Sequence, residues 1–293
     1  MISVPAPSLM HLQKWIVNNI LQFTTPHPTS HAFHPDCRPY EAAAAHCGCS
    51  WLLKVDVEDF FHGISERRVT RVFQDIGFPK LLSFEFARLA TFAIDRVDGR
   101  PDPSRRWPVI PLYQCRNEGV LPQGAPTSPM LSNLVMYTMD ATLQELAEHH
   151  GFRFTRYADD LAFSCKDRKD ISEIRRFKRL VLKSLNEGGF KPNHRKTAIR
   201  GPGSRRIVLG MLVDSDRPRL PRDYKDKIRL HLHFLRSATH GPSVHAAAQR
   251  TSISGIYHHV RGLISWAQTV EPDFGASAMH GFGAIEWPPL GPQ

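Results

Sequence analysis

Asp159 and Asp160 stand side by side in RYADDLAFS, the stretch from Arg156 to Ser164, with apolar residues on both sides of them. Like charges this close repel by about 1 kcal/mol in water, and several-fold more where solvent is scarce. Either the pair is a solvated turn, where the repulsion is harmless, or a cation sits between the carboxylates. A third aspartate, Asp56, lies far upstream in WLLKVDV. If the hairpin carrying the pair lies beside the Asp56 strand, three carboxylates converge. Hard oxygen donors of this kind suit Mg²⁺, which keeps several waters and shares substrate phosphates. Two such ions about 4 Å apart can activate an attacking hydroxyl and steady the leaving oxygen of a phosphoryl transfer.

The elements that must position these acids are readable from periodicity. In WLLKVDV, Trp51, Leu53, Val55 and Val57 fall on one face of a strand, and Lys54 and Asp56 on the other. The flanks of Asp159-Asp160 read as a half-buried hairpin. A helix is expected over about Ser8–Leu21, and helical pattern over 65–95 is broken at Gly77-Phe78-Pro79. Residues 95–107 read as an exposed loop. Ser128 is a plausible N-cap with Pro129 at the first helical position. The helix that follows shows an apolar period at Leu131, Leu134, Val135, Thr138, Met139, Thr142 and Leu146, and Gly151 ends it. The loop Leu121–Pro126 therefore feeds a helix N-terminus, whose N–H groups favour an anion. A basic helix over about Ser172–Asn186, a short strand in RIVLGMLVD, and helices at about 222–237 and 252–268 complete the pattern. Lys225, Arg229 and Arg236 form a basic stripe opposite Tyr224, Ile228, Leu232 and Leu235.

Composition bounds the partners. The chain has 293 residues, 41% apolar and 23% charged, which suits a globular protein of two or three lobes. No apolar run approaches the roughly 20 residues of a membrane helix, and the N-terminus lacks the pattern of a signal peptide, so a cytoplasmic protein is expected. The five cysteines, Cys37, Cys47, Cys49, Cys115 and Cys165, are expected to be reduced thiols. His46, Cys47 and Cys49 cluster, but no second Cys/His pair lies at finger-like spacing. The net charge is +10, and residues 166–206 alone hold 14 Lys/Arg against 4 Asp/Glu. A basic zone this strong is either a solvated helix face or the footprint of a polyanion, of which nucleic acid is the commonest.

KVDVEDFF, LPQGAPTSPMLSNL, RYADDLAFS, NHRKT and VLGMLVD occur in this order. Together they resemble the palm of a reverse transcriptase, closest to the bacterial retron-type group, over roughly residues 2–274. YADD alone is a weak signal; its distance from D-x-x-D-F-F, with LPQG between, makes the combination specific. The resemblance implies an α+β right-hand polymerase fold, with an antiparallel palm sheet packed on helices, reduced fingers and a helical thumb. Fingers correspond to 1–50 and 65–118, palm to 51–64 and 119–215, thumb to 216–275, and 276–293 to a tail.

By the same resemblance Asp56, Asp159 and Asp160 hold two Mg²⁺ ions, for which Mn²⁺ can substitute, with help from the Val57 carbonyl. Phe61 matches the aromatic placed under the incoming sugar, where a rigid ring would clash with a ribose 2′-hydroxyl; the other reading is a core phenylalanine, as for Phe60. Gln123 and Gly124 match the loop lining the incoming nucleotide, where glycine lets the backbone approach closely. Lys196, in NHRKT, matches the lysine that protonates the pyrophosphate leaving group, and is otherwise a solvated cation. Val208–Val213 matches the strand and turn that hold the primer end. The helices over 222–268 match the thumb, whose basic stripe would track duplex phosphates without reading sequence.

Three departures qualify the match. Family members usually begin earlier, with a hairpin containing K-x-x-G-G-x-R that clasps the triphosphate. Here Met1 starts just after it, so either the start codon is set late or the triphosphate is gripped differently. The retron N-A-x-x-H element reads Ala42-Ala43-Ala44-Ala45-His46, with the asparagine lost. No maturase or endonuclease extension follows the thumb, which speaks against a complete intron-encoded enzyme. The expectation is an RNA-directed DNA polymerase taking dNTPs, an RNA template and an RNA/DNA primer duplex, with a cognate non-coding RNA as a further partner and no membrane. Its product would be a retron-like msDNA or a DNA used in phage defence. The rival is a catalytically impaired RNA-binding relative that retains only the basic cleft.

Overall fold

A computed structural model of the chain describes residues 3–35, 37–93, 118–237 and 239–289. The loop expected at 95–107 and Cys115 lie outside the described residues. The chain divides into two compact units, Met1–Ala42 with Ser50–Pro202, and Ala43–Cys49 with Gly203–Gln293.

The first unit runs through α1 (Pro7–Asn19), a 3₁₀ turn (Leu21–Phe23), α2 (Pro39–Ala44, the end of which enters the second unit), β1 (Trp51–Asp56), α3 (Glu66–Asp75), α4 (Lys80–Ala90), β2 (Phe92–Ala93) and β3 (Gly119–Val120). It continues with α5 (Ser128–His149), β4 (Arg153–Tyr157), β5 (Asp160–Cys165), α6 (Ile171–Glu187) and β6 (Ala198–Arg200). The break at Gly77-Phe78-Pro79 separates α3 from α4 as its turn chemistry requires. The central sheet is antiparallel, in the order β4-β5-β1-β6.

Register divides the sheet into two faces, because directly opposed residues share a face. Val55 lies across from Leu161, and Leu53 from Phe163 and Ile199; Phe154 lies across from Phe163 and Arg156 from Leu161. This is the covered face. Phe154 stacks on Phe163 with ring centroids 4.6 Å apart, and Phe177 of α6 stacks on Phe152 at 3.9 Å. Leu131, Met136 and Leu143 of α5 and Ile16 of α1 join the same core. Truncating a ring as deeply buried as Phe163 costs about 3–5 kcal/mol. The opposite face carries Lys54, Asp56, Tyr157 and Asp160 at one end. At its other end Leu52, Ala162 and Ser164 are buried. Leu52 thus departs from a simple alternation, and at that end it is flanked in register by Ser164 and the exposed Arg153 and Arg200.

In α5 the buried face differs from the apolar period. Thr138 and Thr142 are exposed, and Leu134, Val135, Met139 and Leu146 only flank the core. The deepest face runs through Leu131, Ser132, Asn133, Met136, Asp140, Leu143 and Ala147. Asn133 and Asp140 are buried because Arg156 meets them, and Ser132 because its hydroxyl donates to the Pro129 carbonyl; a reading that follows hydrophobicity alone shifts the stripe toward Leu134 and Val135.

The second unit opens with a hairpin, β7 (Ile207–Val208) and β8 (Met211–Leu212), where the sequence suggested a single strand. Leu209 and Gly210 both have positive φ, 47° and 79°, as a two-residue primed turn requires. The helices α7 (Arg222–Arg236), α8 (Gly241–Ala248), α9 (Ile253–Val270) and α10 (Pro272–Gly283) follow. The expected tail is therefore helical as far as Gly283, with Ala278 and Phe282 buried. Gly275 permits this: a Cβ there would fall 2.2 Å from the Gln268 Cα, so only glycine lets α10 lie against α9. Within the basic stripe, Lys225 pairs with Glu271 at 2.6 Å and Arg229 with Asp226 at 2.7 Å. No helix among the described residues is long and apolar enough to cross a membrane.

Candidate active site

The three aspartates meet at the open end of the sheet. Asp56 is the last residue of β1 and lies directly across from Asp160, the first of β5. Opposed residues in an antiparallel pair have Cα atoms about 4.5–5.5 Å apart. Ala158 and Asp159 form the two-residue link between β4 and β5. Ala158 has φ 55°, a left-handed conformation that strains any residue with a side chain. A backbone bond of 3.1 Å from Val57 N–H to the Asp159 carbonyl ties the two acidic segments together.

Asp56 is only 6% exposed, and two lysines compensate the charge around it. Lys196 Nζ lies 3.0 Å from Asp56 Oδ2, and Lys54 Nζ lies 3.7 Å from Asp160 Oδ1. The Lys196 ammonium is held above the usual lysine range by its hydrogen bond to Asp56. The Asp159 carboxyl is pushed up, first by burial and then by the charges of Asp56 and Asp160.

Lys196 reaches Asp56 because Asn193 builds the turn beneath it. Asn193 N–H donates to the Asp56 carbonyl at 2.7 Å, and its Oδ1 accepts from the Arg195 and Lys196 N–H groups at 3.2 and 3.3 Å. Thr197 closes the turn with both its N–H and hydroxyl on the Asn193 carbonyl. The asparagine three residues before Lys196 is a readable signal for such a side-chain-built turn, and Lys54, two residues before Asp56 on a strand, for a shared face.

Phe61 follows β1 in a tight turn and is half-buried, its ring 5.4 Å from Phe60 and 6.1 Å from Phe33. Phe60 itself is core. Phe33 has φ 66°, which a bulky residue seldom tolerates. Gln123 and Gly124 are exposed in the loop between β3 and α5, and Gly124 has φ 121°, a value that needs glycine. The Gln123 carbonyl accepts from Ser3 N–H at 2.8 Å. The loop is anchored upstream by Glu66, whose carboxylate accepts from Gly119 N–H at 3.2 Å and Arg88 at 2.8 Å. Among the described residues, no hydrogen bond or ion pair joins Gln123 or Gly124 to the aspartates. The site thus brings together Asp56, Val57, Asp159, Asp160 and Lys196, with Phe61 on the turn beyond β1.

Asp56 and Asp160 share one face of the sheet, and Asp159 stands beside them in the turn, close enough for its carboxyl to feel both charges. Among the described residues no trio of His, Cys, Asp or Glu side chains is arranged to hold a metal by itself. Carboxylate oxygens of this kind are hard donors, the ligand class of Mg²⁺, Mn²⁺ and Ca²⁺.

Residues 1–213 match the family model described as reverse transcriptase (RNA-dependent DNA polymerase). Curated relatives include the retron Ec86 reverse transcriptase of Escherichia coli, 28% identical over 91% of this chain and 70% of that protein. The retron Mx162 and Mx65 reverse transcriptases of Myxococcus xanthus are 30% and 27% identical over 94% and 93% of this chain. The chain spans 59% and 58% of the lengths of these two. Among solved structures, telomerase from Candida albicans bound to a fragment of telomeric RNA aligns with a TM-score of 0.44 and 10% identity. That alignment covers 94% of this chain and 54% of the other.

Proposed function

This chain belongs to the reverse transcriptase family, its matched relatives being bacterial retron enzymes, and on that premise we propose that it copies RNA into DNA. A primer 3′-hydroxyl attacks the α-phosphate of a dNTP, a P–O bond forms, and pyrophosphate leaves. The observation that carries the reading is Asp56 lying across from Asp160, beside Asp159, at the open end of the sheet.

Asp56, Asp159 and Asp160, with the Val57 carbonyl, are the groups that would hold two Mg²⁺ or Mn²⁺ ions. When bound, such ions supply activation of the hydroxyl and neutralisation of the departing charge. Lys196 supplies a mobile ammonium, 64% exposed at its side chain, that can swing from Asp56 to the pyrophosphate and deliver its proton there. Phe61 closes the space beside the sugar 2′-carbon and so favours deoxynucleotides. Gln123 and Gly124 line the nucleotide with backbone that glycine allows to approach.

In the right-hand reading, the palm is 51–64 and 119–215, the reduced fingers are 1–50 and 65–118, the thumb is 216–275, and 276–293 is a tail. Val208–Val213 holds the primer end. In the thumb stripe, Arg236 makes no ion pair among the described residues, whereas Lys225 and Arg229 must exchange partners to reach duplex phosphates. Partners are an RNA template, an RNA/DNA primer duplex and dNTPs, with a cognate non-coding RNA as the source of template in the cytoplasm. Retron-like msDNA synthesis or phage defence is the biological setting this supports.

Primer extension on an RNA template tests the reading. The wild type with Mg²⁺ or Mn²⁺ should give template-dependent DNA, and Asp159→Ala/Asp160→Ala should give none. Product that survives the double substitution would overturn the metal assignment. A folded wild type that makes no product but binds RNA in a salt-sensitive way would leave a non-catalytic RNA-binding protein.

A further inference from the structure

Arg156 begins the RYADD stretch, yet its side chain points away from the acids, to the covered face of the sheet. It is fully buried, as is its partner Asp140 of α5. Arg156 Nε and Nη2 donate to the two Asp140 oxygens at 2.7 and 2.6 Å. Nη1 donates to Asn133 Oδ1 and to the Ala158 carbonyl, each at 3.1 Å. Asn133 passes the connection on: its Nδ2 donates to the Ala32 carbonyl at 2.7 Å, and its Oδ1 also accepts from Ser30 Oγ at 2.9 Å. The main chain of Arg156 is held on the same segment, accepting from His31 N–H and donating to the Thr29 carbonyl, both at 2.8 Å.

A buried ion pair is weak evidence of stability, because an apolar pair of the same volume often does as well. What an apolar pair cannot do is donate to the Ala158 carbonyl. Ala158 is the strained residue of the two-residue turn, and strain of this kind persists only where the surroundings over-determine it. Arg156 grips the turn at the Ala158 carbonyl from the covered face, and Val57 N–H grips it at the Asp159 carbonyl from β1. The guanidinium fork fits this task, since it can serve Asp140, Asn133 and Ala158 at once.

We propose that Arg156 is a positioning residue for the Asp159-Asp160 turn: its pairing with Asp140 and Asn133 holds a guanidinium donor on the Ala158 carbonyl and so sets the spacing of the metal-binding carboxylates. This rests on the polymerase reading above. Outer partners of metal ligands generally cost roughly 10- to 100-fold in metal affinity or activity when lost.

Two variants separate positioning from stability. Arg156→Met/Asp140→Leu replaces the ion pair with apolar volume and should fold, its loss of stability limited to the donor withdrawn from the Asn133 Oδ1 and the Ala158 carbonyl. Arg156→Lys keeps the charge on Asp140 but, as a point donor, cannot serve all three acceptors. In both, kcat should fall roughly 10-fold or more and the Mg²⁺ concentration for half-maximal rate should rise, with primer–template binding unchanged. Mn²⁺ binding to the folded proteins, measured by titration without substrate, should weaken in parallel. Variants that fold and keep wild-type kcat, Mg²⁺ dependence and Mn²⁺ affinity would overturn the proposal; if the double variant fails to fold, Arg156→Lys alone decides. A wild type that makes no DNA would overturn the polymerase reading only, because Mn²⁺ affinity still decides the role of Arg156.

Discussion

Asp56 and Asp160 face one another across β1 and β5, and each is met by a lysine, Lys196 at 3.0 Å and Lys54 at 3.7 Å. Asp159, next to them in the turn, has no cation within 4 Å among the described residues. Its carboxyl is held above the ordinary value, by burial first and by Asp56 and Asp160 second. For an acid raised in this way the folded state binds protons more readily than the unfolded one, so stability falls as pH rises past the ordinary carboxylate value. The ionised group therefore costs stability at neutral pH. Asp159→Asn should raise the melting temperature at pH 7 in EDTA, because the variant has no charge to bury there. If the carboxylates hold Mg²⁺ as proposed, added Mg²⁺ should raise the melting temperature of the wild type and not of this variant. A lower melting temperature in EDTA would contradict the electrostatic account.

Asn193 and Lys196 act as a unit in the same cluster. Lys196→Ala should fold with a loss of about 1–3 kcal/mol, because it leaves the buried Asp56 carboxylate without its hydrogen-bonded cation. If Lys196 is the general acid proposed above, its loss should lower kcat by roughly 10²-fold or more. Asn193→Ala removes the side chain that orients the turn and should cost about 1 kcal/mol of stability. Its kcat should lie between those of the wild type and Lys196→Ala. Single-turnover incorporation rates decide it: equal rates for Asn193→Ala and the wild type would show that the turn does not position the lysine.

The polar pieces of the site were legible unequally, for a physical reason. Asp56, Asp159 and Asp160 stood out because acids interrupt apolar strands of period two, and a strand register converts that pattern directly into a shared face. Asn133, Asp140 and Arg156 were missed because a fully buried polar network carries no such signature: each residue alone reads as surface. Together they moved the buried face of α5 by about one residue position from the apolar period. The hairpin at 207–212 was hidden by Leu209, which occupies a left-handed position where glycine or asparagine would have announced the turn. Helix α10 was hidden by its glycines, which signal a loop but here allow close contact with α9.

Phe61 leans on Phe33, a ring held by an unusual backbone at φ 66°. If Phe61 bars the 2′-hydroxyl, Phe61→Ala should lower the preference for dNTP over rNTP by roughly 10- to 200-fold, the range set by adding or removing small groups in a pocket. The half-buried ring can be removed without unfolding the unit. Steady-state kcat/KM for dCTP and CTP on one template measures the ratio. An unchanged ratio would return Phe61 to the core, with no part in sugar selection.

In the second unit, His231 of α7 and His245 of α8 share one hydrogen bond, Nδ1 to Nε2 at 2.9 Å, and both are buried. One nitrogen must donate and the other accept, so the pair needs at least one neutral ring. Burial, aided by His245, His259 and Lys227, pushes His231 down to about 4. Burial and His240 lower His245 as well. A base depressed on folding binds fewer protons in the folded state, so stability is fully present above the ordinary value of 6.5 and is lost as pH falls toward about 4. Asp159 works in the opposite direction near the lower end of that window, so the histidines are best isolated by comparison. Wild-type melting temperature should drop by several degrees between pH 7 and pH 5 at constant ionic strength. His231→Phe/His245→Leu, which keeps the volume and removes both titrating groups, should flatten that slope. An equal slope in the two proteins would assign the acid sensitivity elsewhere.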